Sequence, residues 1–243
     1  MSILDPIDRI HSAAQSRSGL LDMQPFGDLT LRAALDAKTK KDAFRLRHLC
    51  YFSKGYIDAQ PGEEFSDPYD ADPANTTFVV YARNTPVGSM RVCRSEIISG
   101  RAKAGALPLA ETFPDELQAF VGNGARIVEH NRLVCHPAFE QNHSIVFSLM
   151  RAAAHAMQQY NPDFTAACVR TNHVGFWKRL RFEYVAGPRL YKGLKFETNF
   201  LAVRRERYDM VQRMVPLLNI NAVDNIAYTG LMRGETVRVF GNA

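Results

Sequence analysis

Asn172-His173-Val174-Gly175-Phe176-Trp177-Lys178-Arg179-Leu180-Arg181-Phe182 is the stretch that decides how this chain folds. It follows directly on an apolar run, Phe164–Val169, that reads as a strand. Phe176, Trp177 and Leu180 share one helical face, and Asn172 is a candidate N-cap, so the spacing predicts a helix over Asn172–Leu180. Phe182–Ala186 then reads as the next strand. Taken alone the segment is an amphipathic helix between two strands. With its neighbours it makes a layered α/β unit.

Upstream lies the longest predicted helix, Glu140–Tyr160, with Ile145, Leu149, Ala152 and Ala156 on one stripe and Asn161-Pro162 as its stop. Before it, Arg126–Cys135 reads as a strand closed by Pro137. Thr76–Ala82 and Val87–Ser95 read as a strand pair, Ile97 to Leu109 as irregular chain, and Pro114–Val121 as a short helix. Residues 58–75 hold Pro61, Gly62, Pro68, Pro73 and six acids, which predicts a long loop of the kind that often carries function. Further out come a helix over Lys38–Ser53, a strand within Phe26–Leu35, and a helical stripe of Ile3, Ile7, Ile10 and Ala14. Downstream are a strand, Phe196–Arg204, and a helix, Glu206–Leu218. The order predicts a mixed sheet with helices on both faces. Residues 1–25 are expected as a helical extension, 26–204 as the domain, and 205–243 as a C-terminal helix and tail packed on it.

Apolar residues make up 46% and charged residues 23% of the 243, which excludes disorder of the whole chain. No apolar run is long enough to span a bilayer, and the start lacks the basic and apolar regions of a secretory signal. Cys50, Cys93, Cys135 and Cys168 show no metal-ligand spacing and read as buried free thiols, so a cytoplasmic protein without a metal is expected. The net charge is +5, and between Arg170 and Lys195 seven cations face a single acid, Glu183. Such a segment is either a solvated face or a surface for a phosphate or an acidic protein. It carries no aromatic platform or reader motif for nucleic acid, which is not expected as a partner.

The Asn172–Phe182 segment resembles the last helix of the GNAT superfamily of N-acyltransferases, with Arg181 where a Gly is usual. That resemblance implies a mixed, mostly antiparallel central sheet flanked by helices. Members that use coenzyme A carry a glycine-rich turn after the central strand, whose N–H groups cradle the pyrophosphate. Here His136-Pro137-Ala138-Phe139-Glu140-Gln141-Asn142-His143-Ser144 has no glycine and places an acid there, which argues for a donor with a single phosphate. A wider series also stands in order: Arg47 then Tyr51-Phe52, Asp67-Pro68-Tyr69-Asp70, Gly88-Ser89-Met90-Arg91, Phe113, and Glu129-His130-Asn131-Arg132. Each residue alone reads as an ion pair or a core aromatic. As a series they resemble the acyl-homoserine-lactone synthases and the related N-acyl amino acid synthases, over roughly residues 26 to 204. Tyr56 stands where lactone synthases carry a Trp, and Asn131 where they favour a Ser, which turns the resemblance towards the N-acyl amino acid synthases.

The resemblance implies transfer of a long-chain acyl group from acyl carrier protein to an amino acid, with acyl-phosphopantetheine as donor and no bound cofactor. The alternatives are a lactone synthase accepting from S-adenosylmethionine, a coenzyme-A acetyltransferase, and a silent acyl-binding module. Glu129 is the candidate base for the amine, against a purely structural pairing with Arg132 or Arg91. Arg47, Phe52, Asp67, Asp70, Arg91, Phe113 and Arg132 are the implied substrate-side residues, with Arg132 suited to an acceptor carboxylate. Val87–Val92, Leu107, Leu109, Phe113, Phe147 and Met150 offer side chains for an acyl slot. Lys178, Arg179 and Arg181, on the basic segment, suit an acidic carrier protein. Residues three apart on a regular strand face opposite ways, so Glu129 and Arg132 can share a pocket only if a β-bulge falls near His130-Asn131.

Overall fold

The computed structural model describes residues 29–98, 101–102, 107–121, 124–220 and 222–239. The stripe expected over residues 3–14 lies outside them. The chain runs β1 (Leu29–Ala33), α1 (Ala37–Phe52), β2 (Thr76–Ala82), β3 (Thr85–Ile98), β4 (Arg101–Ala102), α2 (Pro108–Thr112), α3 (Pro114–Phe120) and β5 (Arg126–Cys135). It continues through α4 (His143–Tyr160), β6 (Phe164–Val169), α5 (Val174–Arg179), β7 (Glu183–Leu190), β8 (Glu197–Arg204), α6 (Arg205–Met214), α7 (Ala222–Leu231) and β9 (Val237–Arg238). The strands form one sheet in the order β7-β8-β6-β5-β3-β2-β1-β9, with β4 hanging on β3. Among the described residues only β5 and β6 pair in parallel; every other pair is antiparallel.

Both faces are covered because the strands alternate. Phe78 and Val80 of β2 join the core under α4, whereas Val79 and Tyr81 turn to Ala43 of α1. α4 buries Ile145, Leu149, Ala152 and Ala156, the stripe read from sequence. It lies so close to β3 that a Cβ on Gly88 would stand 2.3 Å from Ile145 Cγ2. α1 is held at its start by Asp36, whose carboxylate accepts from the Thr39 N–H at 2.8 Å.

Several boundaries differ from the sequence reading. α4 begins at His143, because Pro137–Phe139 forms a 3-10 turn and Asn142 caps the helix through Ser144 N. Asn172 is no N-cap: Thr171–His173 is itself a 3-10 turn, and α5 starts after it. The stretch expected to be irregular gives the end of β3, β4 and α2, whose Pro108 occupies a first-turn position. β7 runs on to Leu190 through two register shifts, and the expected terminal helix ends at Met214 before a 3-10 turn at Pro216–Leu218. The C-terminal segment returns to the sheet, where β9 pairs with β1 and Val239 N donates to Leu29 O. Among the described residues all four cysteines are free, and no helix is long and apolar enough to cross a membrane.

Candidate active site

The bulge that the sequence required is present, two residues later than expected. Glu129, His130 and Asn131 of β5 pair in turn with Cys93, Val92 and Arg91 of β3, and then Val134 pairs with Ser89. Between Asn131 and Val134 β5 advances three residues while β3 advances two, so the extra residue falls at Arg132-Leu133. Arg132 takes the left-handed conformation, φ 54°, which costs a non-glycine residue about 1 kcal/mol. The bulge reverses the alternation. Before it, Ile127 packs with Phe113 and Val128 with α4; after it, Val134 packs with Leu46 and Tyr191, while Leu133 and Cys135 meet the α4 core. Glu129, Asn131, Arg132 and Val134 therefore share the α1 face.

On that face two aspartates from the long acidic loop bind three arginines from three elements. Arg47 of α1 donates from Nη1 to both oxygens of Asp70, at 2.8 and 2.9 Å, and from Nη2 to Thr77 Oγ1. Arg91 of β3 reaches Asp67 at 2.5 and 3.0 Å and Asp70 at 2.9 Å, while its Nε donates to Asn131 Oδ1. Arg132 donates from Nε and Nη2 to Asp67 Oδ2, at 3.1 and 2.7 Å. Asp67 and Asp70 also close a capping box over the 3-10 turn Pro68–Asp70, which fixes the loop. Burial opposes ionisation of Asp67, but hydrogen bonds and charge from Arg91 and Arg132 outweigh it and hold the carboxyl well below the usual range. Three cations against two anions leave the cluster one positive charge in excess.

Glu129 adjoins this cluster and is fully buried. Its Oε2 accepts from Leu109 N at 2.9 Å, in the first turn of α2, and its Oε1 faces Tyr191 Oη at 3.4 Å. Burial pushes its pKa up to about 7, with the Leu109 N–H, Asn131 and Arg91 holding it from rising further.

The parallel strands β5 and β6 pair only as far as His130 with Ala167, and beyond that they part. Asn131–Cys135 on one side and Cys168–Arg170 on the other wall a cavity of about 610 Å³, closed by Tyr51, Phe147, Phe176, Trp177, Tyr191 and Phe196. A second cavity, also about 610 Å³, opens between Ile57–Gln60, Glu111 and the β7–β8 hairpin. Tyr191 lines both, and Glu129 lines neither. The carboxyl thus sits one layer behind the wall and meets it at the Tyr191 hydroxyl. Four buried polar atoms of the first cavity have no hydrogen-bond partner among the described residues: Arg132 Nη1, Thr198 Oγ1 and both ring nitrogens of His130. Burial lowers the His130 pKa to about 4, so this imidazole is neutral.

Arg47, Asp67, Asp70, Arg91, Glu129 and Arg132 are thus brought together, and the remaining expected residues are not. Phe52 is corrected: it is 50% exposed and stacks on His48, whereas its neighbour Tyr51 faces the cavity, because the α1 face turns one position earlier. Phe113 is also corrected as a lining residue. It is fully buried against Phe200, in the core behind Glu129. Of the side chains offered for an acyl slot only Phe147 reaches the cavity; Val87, Met90, Val92 and Met150 lie in the α4 core, and Leu107 and Leu109 pack with Phe113. Lys178, Arg179 and Arg181 are exposed, outside the cavity wall, and Arg181 donates to Met214 Sδ. The basic segment is less uniform than its sequence, since Arg189, Lys192 and Lys195 pair with Glu116, Glu111 and Asp58. Tyr191 lines the cavity without having been singled out, and Tyr51 and Arg170 were named only within the ordered series and the basic segment; set between Leu190 and Lys192, Tyr191 gives no local signal.

The same architecture occurs in solved structures. FeeM, an N-acyl amino acid synthase from uncultured soil microbes, superposes with a TM-score of 0.63 at 16% identity, over 79% of this chain and 98% of that one. BjaI, described as a CoA-dependent acyl-homoserine lactone synthase, gives 0.56 at 18% identity over 84% and 99%. A putative N-acetyltransferase from Lactobacillus plantarum gives 0.50 at 14% over 73% and 99%. At these identities the likeness speaks for the fold, a GNAT-like mixed sheet. No curated protein matches the chain significantly in sequence. The sequence profile described as N-acyl amino acid synthase FeeM matches residues 42–204, the span from α1 to the end of β8 that builds the cluster and the cavity. The chain belongs to this N-acyl amino acid synthase family and is an acyltransferase.

Proposed function

We propose that this acyltransferase moves a long-chain fatty acyl group from the phosphopantetheine thioester of an acyl carrier protein to the amino group of an amino acid. One observation carries the reading: on a single face of β5, a buried carboxyl that titrates near 7 stands with a buried guanidinium that has an N–H to spare. Both lie beside a large, mostly apolar cavity between parting strands.

The chemistry needs a neutral amine. A carboxylate with a pKa near 7 is matched to accept the amine proton close to neutral pH, and the Tyr191 hydroxyl bridges Glu129 to the cavity. The neutral amine attacks the thioester carbonyl while Glu129 takes the proton its nitrogen sheds, the C–S bond breaks, and that proton passes to the leaving thiolate, giving an amide and a thiol. A backbone N–H freed from the ladder at Arg132-Leu133 is the candidate donor to the carbonyl oxygen. Arg132 Nη1 suits the carboxylate of the acceptor, and the bare His130 ring suits the amides of a pantetheine arm. Asp67, Asp70, Arg47 and Arg91 hold Arg132 and the loop in place.

The donor preference rests on the turn after β5. Glu140 faces the cavity paired with Lys54, and the Asn142 side chain already takes the Ser144 N–H, so the turn offers little to a pyrophosphate. The exposed Lys178, Arg179 and Arg181 follow Trp177 of the cavity wall and suit an acidic carrier docking at the mouth. Four free thiols fit action in the reducing cytoplasm. Expression in a bacterium followed by mass spectrometry of the lipid extract tests the reading. Fatty acyl amides of amino acids are expected, and they should vanish with Glu129→Gln. Homoserine lactones in their place would make the chain a lactone synthase, and an extract with neither product refutes acyl transfer to an amine.

A further inference from the structure

The cavity between β5 and β6 is lined by three permanent cations, Lys54, Arg132 and Arg170. Lys54 pairs with Glu140, and Arg132 pairs with Asp67. Arg170 has no carboxylate partner among the described residues. Its Nη1 donates to Tyr56 Oη, and its Nη2 meets His173 Nε2 at 2.7 Å. Burial and the Arg170 charge lower the His173 pKa to about 4, so that ring is neutral and accepts. The guanidinium carbon also stands 5.0 Å from the Tyr56 ring centre and 5.8 Å from that of Phe196. The group is therefore aimed and clamped by aromatic and neutral partners, with unused N–H donors and an uncompensated charge.

Its position indicates which anion belongs there. Arg170 follows β6 and is only part-buried, whereas Arg132 is 7% exposed and adjoins Glu129. A ligand lying along the cavity would meet Arg170 at its outer end and the bulge at its inner end. We propose that Arg170, aimed by Tyr56 and His173, binds the phosphate at the outer end of the donor's pantetheine arm. The assignment rests on the acyl-transfer reading above. The same phosphorylated arm is present on a carrier protein and in coenzyme A, and a planar guanidinium fork with no acid beside it suits either.

Calorimetric titration with phosphopantetheine and with pantetheine tests the site without needing turnover. The wild-type chain should bind the phosphorylated arm about tenfold or more tightly, the usual scale for a charge-assisted contact. The ratio should fall to near one in Arg170→Gln and to an intermediate value in Arg170→Lys, which keeps the charge and loses the fork. Equal affinities in the wild type, or an undiminished ratio in a folded Arg170→Gln, overturn the proposal. Where Arg170→Gln does not fold, Arg170→Lys decides the matter: an undiminished ratio there overturns the proposal. Acyl transfer is measured in parallel from acyl carrier protein and from acyl-coenzyme A, and the source that the wild type turns over supplies the phosphate. Binding that discriminates for phosphate without transfer from either source would retain the anion site and defeat the acyl-transfer reading instead.

Discussion

Asp67→Asn isolates the cluster beneath the site. Asp67 accepts from Arg91 at 2.5 and 3.0 Å and from Arg132 at 3.1 and 2.7 Å, with its side chain 14% exposed. Asparagine keeps the shape, removes the charge, and turns an amide N–H towards a guanidinium. Arg91 would still hold Asp70 at 2.9 Å, but Arg132 would have no carboxylate among the described residues. Removing one partner of a buried pair costs roughly 3–5 kcal/mol. With one arginine still paired and Asp67 slightly open to water, the lower end applies, about 3 kcal/mol, out of a total near 5–15 kcal/mol for a domain. Urea unfolding at pH 7 should show that loss as a lower midpoint at unchanged slope. The sign with pH is set by the depressed Asp67 pKa: its contribution is present above the ordinary carboxylate range and fades as pH falls below it. The gap between wild type and variant should therefore close towards acid. A loss under about 1 kcal/mol at pH 7, or a gap that persists in acid, would show that the cluster does not behave as a buried network.

Glu129→Gln should abolish transfer and yet stabilise the fold above neutrality. The Glu129 pKa is raised from 4.5 to about 7, so its contribution is full below 4.5 and lost as pH rises to 7, by up to about 3 kcal/mol; denaturation at pH 5 and pH 8 checks this, and a variant no more stable at pH 8 refutes it. Wild-type kcat/KM should rise with pH through about 7, and a flat profile would exclude Glu129 as the base. Tyr191→Phe, which deletes the hydroxyl beside Glu129, should lower kcat about tenfold with little change in unfolding midpoint; full activity would mean that the proton takes another path. Gly88→Ala should destabilise by about 1–3 kcal/mol because its Cβ would meet Ile145 Cγ2, and Ile145→Ala added to it should cost less than the two changes summed.

The succession of strands and helices was legible because each carries its own period: the α4 stripe and the apolar runs of β5, β6 and β8 need no distant partner to be recognised. Helix ends were less so, since Asn142 and Asn172 both have capping chemistry and only the 3-10 turns around them decide which one caps. In the site, the need for a bulge followed from side-chain parity alone. Its place did not, because an arginine in the left-handed region has no sequence signal of the kind glycine gives. Phe52 and Phe113 went astray because order along the chain does not say which way an aromatic turns; a shift of one position on α1 exchanges Phe52 for Tyr51. Tyr191 was missed because its partner Glu129 lies 62 residues away, a contact only the assembled sheet creates.

The pairing of β9 with β1 bears on how the domain would respond to force. Leu29 and Val239 are hydrogen-bonded neighbours on an outer edge of the sheet, so handles attached at the two ends would pull β9 away from β1 across the ladder. The bonds would then be loaded one after another, as in a zip, and the C-terminal strand would peel off at low force. β5 and β6 lie four and five places inward from β9, behind β1, β2 and β3, and would still be engaged when that edge had opened. The cleft between β5 and β6 is thereby insulated from tension applied at Leu29 and Val239.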